Sequence, residues 1–155
     1  MLAVAAAAQS TVVLPASHGT QEGSSSTNVP FGRSTPTRVQ CCYDAANFGG
    51  PITVQSVAFR IDGGATAAAK TVDCELRMST MPGGLLALNA DFAANRGLDE
   101  TVVLPRQVLA LPAHTTAAVP SPFGAAIQLA TPFAFDPAQG SLLVEIVVHG
   151  QPPGA

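Results

Sequence analysis

The run Val72-Asp73-Cys74-Glu75-Leu76-Arg77-Met78-Ser79 alternates apolar and polar side chains at every step. A period of two puts Val72, Cys74, Leu76 and Met78 on one face of a strand and Asp73, Glu75, Arg77 and Ser79 on the other. One face then meets a core and the other meets water, as in an antiparallel sheet covered on one side. Thirteen Pro and fourteen Gly spread along the chain place frequent turns between short elements, a pattern of all-β domains. The expected fold is an all-β, antiparallel, jelly-roll-like β-sandwich, a single domain over residues 10–150 built around this strand. At 155 residues the chain can bury a substantial core.

Working outward, Ile52–Asp62 changes phase. Ile52 and Val54 share one parity, and Val57, Phe59 and Ile61 share the other. A β-bulge near Gln55-Ser56 lets both groups face one core. The parity predicts a hairpin of Val57–Ile61 with Val72–Leu76, placing Arg60 beside Asp73 and Glu75. Thr37–Tyr43 reads as a strand with Val39, Cys41 and Tyr43 on one face, and Phe48 plugs the core from the turn that follows. Leu85, Leu88 and Phe92 have helical spacing, so one short helix is expected near 85–95. Thr101–Leu104 and Val108–Leu111 read as strands, or halves of one strand, meeting at Pro105.

Toward the C-terminus, Ile127–Phe135 alternates, with Pro132 on the outward parity, and Leu142–Val148 is apolar on both parities. A hairpin through Asp136–Gly140 is expected, with Leu142, Val144, Ile146 and Val148 facing the core. That arrangement leaves Leu143 and Val147 uncovered on either side of Glu145. An uncovered apolar edge invites association, so self-association or a surface partner is expected at this C-terminal edge strand, and the domain reads as truncated there.

Met1-Leu-Ala-Val-Ala-Ala-Ala-Ala8-Gln9 presents small residues before a cut after Ala8, so residues 1–9 read as a signal-peptide remnant and the protein as secreted or held at the cell surface. Eight apolar residues are too few to span a bilayer, which takes about 20 in a helix, and no transmembrane segment is expected. Charged residues make up 11% and the net charge is −3, which gives no basic stripe and argues against nucleic acid as a partner.

Several segments carry a resemblance. Arg38–Gly64 (RVQCCYDAANFGGPITVQSVAFRIDGG), Arg77–Thr80 (RMST), Asp91–Val103 (DFAANRGLDETVV) and Pro132–Ile146 (PFAFDPAQGSLLVEI) resemble a family of exported bacterial β-rich proteins of unknown function. Some members of that family resemble proteins with a PEP-CTERM-type sorting segment. The resemblance implies export and an all-β domain. It attaches no catalytic residue to any of these motifs.

Candidate chemistry is sparse. Cys41 and Cys74 share the core parity, and a disulfide between them needs Cα atoms within about 7 Å. Three readings stay open for the cysteines: buried free thiols, a bond from Cys74 to Cys41 or Cys42, and part of a metal site. His18, His114 and His149 are scattered and complete no zinc spacing. Asp91, Asn95, Asp99 and Glu100 gather oxygen ligands in one loop, a calcium candidate without EF-hand spacing, and no other cofactor is implied. Asp73 and Glu75 are strand neighbours on an exposed face, with no cleft to raise a carboxyl pKa. No serine sits in a nucleophile elbow. Trp is absent and Tyr43 is the lone tyrosine, which weakens glycan stacking.

The expected function is a secreted, non-enzymatic β-sandwich domain of the cell surface or extracellular matrix, structural or adhesive. The alternatives are an extracellular ligand-binding module for glycan or calcium, or an accessory fragment of a secreted hydrolase. Exposed aromatics on one face favour the module, and a pocket with convergent carboxylates or a His favours the hydrolase.

Overall fold

A computed structural model of the chain describes residues 10–23, 27–115 and 118–152. The expected signal remnant, residues 1–9, lies outside the described residues. Six strands form: β1 (Thr37–Tyr43), β2 (Ile52–Val57), β3 (Lys70–Met81), β4 (Thr101–Leu111), β5 (Ile127–Phe135) and β6 (Ser141–Gly150). Every pairing is antiparallel. One sheet has four strands in the order β1-β6-β3-β4, and the other pairs β2 with β5. The protein is an all-β, sandwich-like fold. No helix among the described residues is long and apolar enough to cross a membrane.

The alternating run lies at the heart of this arrangement. In β3, Val72, Cys74, Leu76 and Met78 are buried, while Asp73, Glu75 and Arg77 stay partly open. Their inward face meets Leu142, Val144, Ile146 and Val148 of β6 and Leu129, Phe133 and Phe135 of β5 in one hydrophobic cluster. Burying a side chain the size of Leu or Phe contributes about 1.5–3 kcal/mol, so this cluster is the main source of cohesion. Phe48 enters from the turn after β1 and packs edge-on against Phe135, with ring centroids 4.8 Å apart. The phase change in β2 is real: its pairing with β5 slips between Val54 and Ser56, so that Ile52, Val54 and Val57 all pack on the core.

Aspartates open three of the turns, two of them directly after β1 and β5. Asp44, Asp91 and Asp136 each accept a hydrogen bond from the backbone N–H two residues on, at Ala46, Ala93 and Ala138. An aspartate doing this offers the backbone a turn in place of the ladder.

Three expected pairings are corrected. Val57–Ile61 does not form a hairpin with Val72–Leu76, because β2 belongs to the other sheet and β3 pairs with β4 and β6. Arg60 therefore lies away from Asp73: it donates to the Gln21 carbonyl and covers the Phe123 ring. Asp73 instead takes a two-pronged contact from Arg106, and Glu75 takes Arg77.

Likewise β5 and β6 do not form a hairpin through Asp136–Gly140, which carries the chain from one sheet to the other. Gly140 makes that passage with φ +150, where an added Cβ would come within 2.4 Å of the Met81 carbonyl oxygen. Strand β6 is interior, flanked by β1 and β3, so the uncovered C-terminal edge does not exist. Leu142, Val144, Ile146 and Val148 do face the core.

The short helix expected near 85–95 is two 3-10 turns, Leu85–Ala87 and Phe92–Asn95. Leu85, Leu86 and Leu88 are exposed, so their helical spacing does not mark a core face. The two halves around Pro105 are one strand, β4, whose pairing with β3 slips on both sides of Leu76, and Pro105 falls in the irregularity.

Candidate functional site

Two places on the molecule gather side chains that could carry function: a charged layer on the outer face of the large sheet, and a cleft at one end of the sandwich.

The charged layer is centred on Glu145. Residues opposite one another in the ladder share a face, so Gln40, Glu145 and Arg77 form one row across β1, β6 and β3. The loop after β3 folds back over this row and brings Arg96 and Asn95. Glu145 is only 2% exposed. Its Oε1 accepts from Arg38 Nε and from an Arg96 guanidinium N–H, each at 2.8 Å. Its Oε2 accepts from Gln40 Nε2 at 2.6 Å and Arg96 Nε at 3.1 Å. Arg96 continues to Glu100 at 3.2 Å, Glu100 to Arg77 at 2.8 Å, and Arg77 to Glu75 at 2.6 Å. Three arginines and three glutamates thus alternate in one chain of ion pairs.

A buried carboxylate is costly unless paired and hydrogen-bonded, and here the donors supply both. Burial alone would push the Glu145 carboxyl up. Hydrogen bonds from Arg96, Gln40 and Arg38 outweigh it and hold the group below its ordinary value. Arg38 also lies over the Phe92 ring, 5.0 Å from its centre. The crevice among Arg77, Ser79, Arg96, Leu143 and Glu145 leaves no space even for a water molecule. This layer fastens the loop over β6 and keeps Leu143 dry, at 1% exposure. A carboxylate with every oxygen engaged and no space beside it is unsuited to proton transfer on a substrate.

The calcium candidates all lie on that fastened loop, and their oxygens are turned to separate tasks. Asp91 caps the turn at Ala93. Asn95, 3% exposed, accepts from the Asn89 N–H and donates to Gln40 Oε1 and the Asn89 carbonyl. Asp99 accepts from the Thr80 N–H, and Glu100 pairs with Arg77 and Arg96. Among the described residues no group of three or more His, Cys, Asp or Glu side chains could hold a metal ion.

Of the three readings open for the cysteines, the structure has free thiols: Cys41, Cys42 and Cys74 are unbridged. Cys41 is opposite Val144 and Cys74 opposite Val148, on the two sides of β6. Two strand spacings of about 4.8 Å already exceed the reach of a disulfide, and four residues along β6 add to the gap. Cys42 lies on the outer face, its sulfur 3.7 Å from that of Met81. Burial pushes the Cys74 thiol up to about 11, with the charge of Asp73 adding to the effect.

The cleft arises because the small sheet is shorter than the large one. Beyond Val57 the chain leaves β2, and β5 begins only at Ile127, so the inner face of β4 past Leu104 is roofed by connecting segments. Gly124 N–H donates to the Phe59 carbonyl at 2.9 Å, and Ala67 and His114 exchange backbone hydrogen bonds at 2.8 and 2.9 Å. Between them an opening of about 400 Å³ remains. Its walls include Phe31, Phe59, Ile61, Leu109, Leu111 and Ile127. Phe31 and Phe59 meet edge to face, centroids 5.3 Å apart. The polar groups on its lining are Lys70, Gln107, His114 and Gln128. Lys70 donates to the Phe31 carbonyl. Small-molecule sites occupy about 300–1,000 Å³ and are mostly apolar with a few convergent polar groups, and the cleft has that size and character.

Sequence reading did not find either place. Glu145 did carry a signal: a charge inside a strand apolar on both parities requires buried partners, and Arg38 and Gln40 share an outward parity on β1. The cleft had none, because its walls come from four separate segments. Of the aromatic side chains described, Phe123 is exposed, at 43%, and Arg60 covers it, so no bare platform for stacking sugars is formed there. In comparisons with known proteins the chain matches no family model, no curated protein and no solved structure.

Proposed function

We propose that the protein is an exported, non-enzymatic β-sandwich module of the cell surface or extracellular matrix that works by recognition, with the cleft beside β4 as its contact surface. The observation that carries this reading is the cleft itself: about 400 Å³, walled by Phe31, Phe59, Ile61, Leu109 and Leu111. A non-enzymatic role is supported by the fate of the ionisable groups. Glu75, Glu100 and Glu145 are neutralised by arginines. Ser79 accepts from the Gly97 N–H; the Ser121 hydroxyl donates to the Asp62 and Ala118 carbonyls, while the Glu22 carboxylate accepts from its backbone N–H at 3.2 Å. Export is supported by the N-terminal run and by the family resemblance. A calcium or glycan role draws less support, because the loop carboxylates are engaged and the exposed ring is covered.

The test is binding of a neutral apolar fluorophore, N-phenyl-1-naphthylamine, to the native protein. Saturable enhancement at one site is expected. Gln107→Trp, which fills the cleft from the inward-facing position opposite Cys74, should abolish it. Absence of binding to the folded wild type would refute the reading.

A further inference from the structure

We propose that the cleft is a site for an apolar carboxylate, with Lys70 as the group that recognises the acid. This rests on the recognition reading above and adds the class of ligand. Lys70 is the single lysine of the chain and lines the cleft. It stands at the start of β3 opposite Leu111, so its stem lies along the apolar wall while its ammonium reaches toward Phe31. An ammonium has three N–H donors and no acceptor. One donor goes to the Phe31 carbonyl, and among the described residues no carboxylate pairs with it.

Arg38, Arg77, Arg96 and Arg106 each hold a carboxylate within 3.2 Å, whereas Lys70, like Arg60, donates to a backbone carbonyl. A cation bordering an apolar cleft, with donors to spare and no anion of its own, is matched by an anion brought by a ligand.

The lining holds a positive charge and no acidic side chain. Leu104, Leu109, Leu111, Ile61 and Ile127 suit a hydrocarbon body. A carboxylate suits Lys70, as a compact point charge, better than a neutral hydroxyl of the same chain length.

The experiment is displacement of bound N-phenyl-1-naphthylamine from the full chain by decanoate and by 1-decanol, each kept below micelle-forming concentration. Decanoate is expected to displace the probe at about tenfold lower concentration than the alcohol, the least that one charge-assisted hydrogen bond supplies. Lys70→Met should bring the two ligands level, and Lys70→Arg should keep a preference for the acid. Circular dichroism of both variants establishes that they are folded, and the acid-to-alcohol ratio in the wild type tests the proposal even where a variant is not. Equal displacement by acid and alcohol in the wild type overturns the inference and leaves the recognition reading standing. Failure of the probe to bind overturns the recognition reading instead.

Discussion

Replacing Glu145 by glutamine keeps the shape of the side chain and removes its charge from the centre of the outer layer. The carboxylate now accepts at both oxygens: Arg38 and Arg96 on one, Gln40 and Arg96 on the other. An amide offers one oxygen, so one pair of donors comes to face an NH2 group. Gln40 cannot reverse its own amide to compensate, because its Oε1 accepts from Asn95 at 2.8 Å. Two charge-assisted bonds at about 1.5–3 kcal/mol each set the upper scale. The arginine side chains are 43% and 22% exposed and can be partly rehydrated, which discounts it. The expected loss is about 2–4 kcal/mol, read as a lower urea midpoint at unchanged slope. For a domain of this size that is a fall in Tm of roughly 5–15 °C.

The acid limb gives a second readout of the same substitution. The folded-state carboxyl titrates below its ordinary 4.5. Its contribution to stability is therefore fully present above the unfolded-state value and is lost as pH falls through the folded one. Wild-type stability should decline through this window more steeply than that of Glu145→Gln. A variant within about 0.5 kcal/mol of wild type, with the same acid profile, would falsify the role given to Glu145.

Other consequences follow from single positions. An alanine Cβ at Gly97 would meet the Thr80 carbonyl oxygen at 1.9 Å, so Gly97→Ala should cost about 1–3 kcal/mol by forcing the loop off β3; an unchanged Tm would show that the loop is not held there. Leu76→Ala, at a site with no exposure, should cost about 2–5 kcal/mol in urea unfolding, and a loss under 1 kcal/mol would place Leu76 outside the core. A thiol reagent at pH 8 should modify Cys42 well before Cys74, whose thiol is buried and titrates near 11, and all 3 cysteines should react in urea. Early labelling of Cys74, or missing thiols in urea, contradicts the placement.

Periodicity made faces legible and left partners open. The alternation of Val72–Met78, the slip after Val54 and the inward set of Leu142–Val148 were all readable, because parity fixes which side of a strand is buried. Parity does not say whether consecutive strands pair or face one another across the core. Phe133, Phe135, Leu142 and Val144 fit a hairpin and a passage between sheets equally well, and the close approach of Gly140 to Met81 is visible only in three dimensions. Leu143 looked exposed because the residues that cover it, on the loop ending at Arg96, lie far away in sequence. Leu85 and Leu88 misled for the opposite reason: helical spacing over one turn is too short to separate a core face from chance. The cleft was illegible because it is a space left where the small sheet ends, and no local pattern encodes that length difference.

The most direct measurement is chemical-shift mapping of the 15N-labelled native protein during titration with N-phenyl-1-naphthylamine. The expected result is a single saturating set of shifts at Phe31, Phe59, Lys70, Leu109, Leu111 and Ile127, with Glu145 and its neighbours unmoved. Shifts confined to the exposed leucines of the 85–88 loop, or no saturable shifts at all, would contradict the assignment of recognition to the cleft.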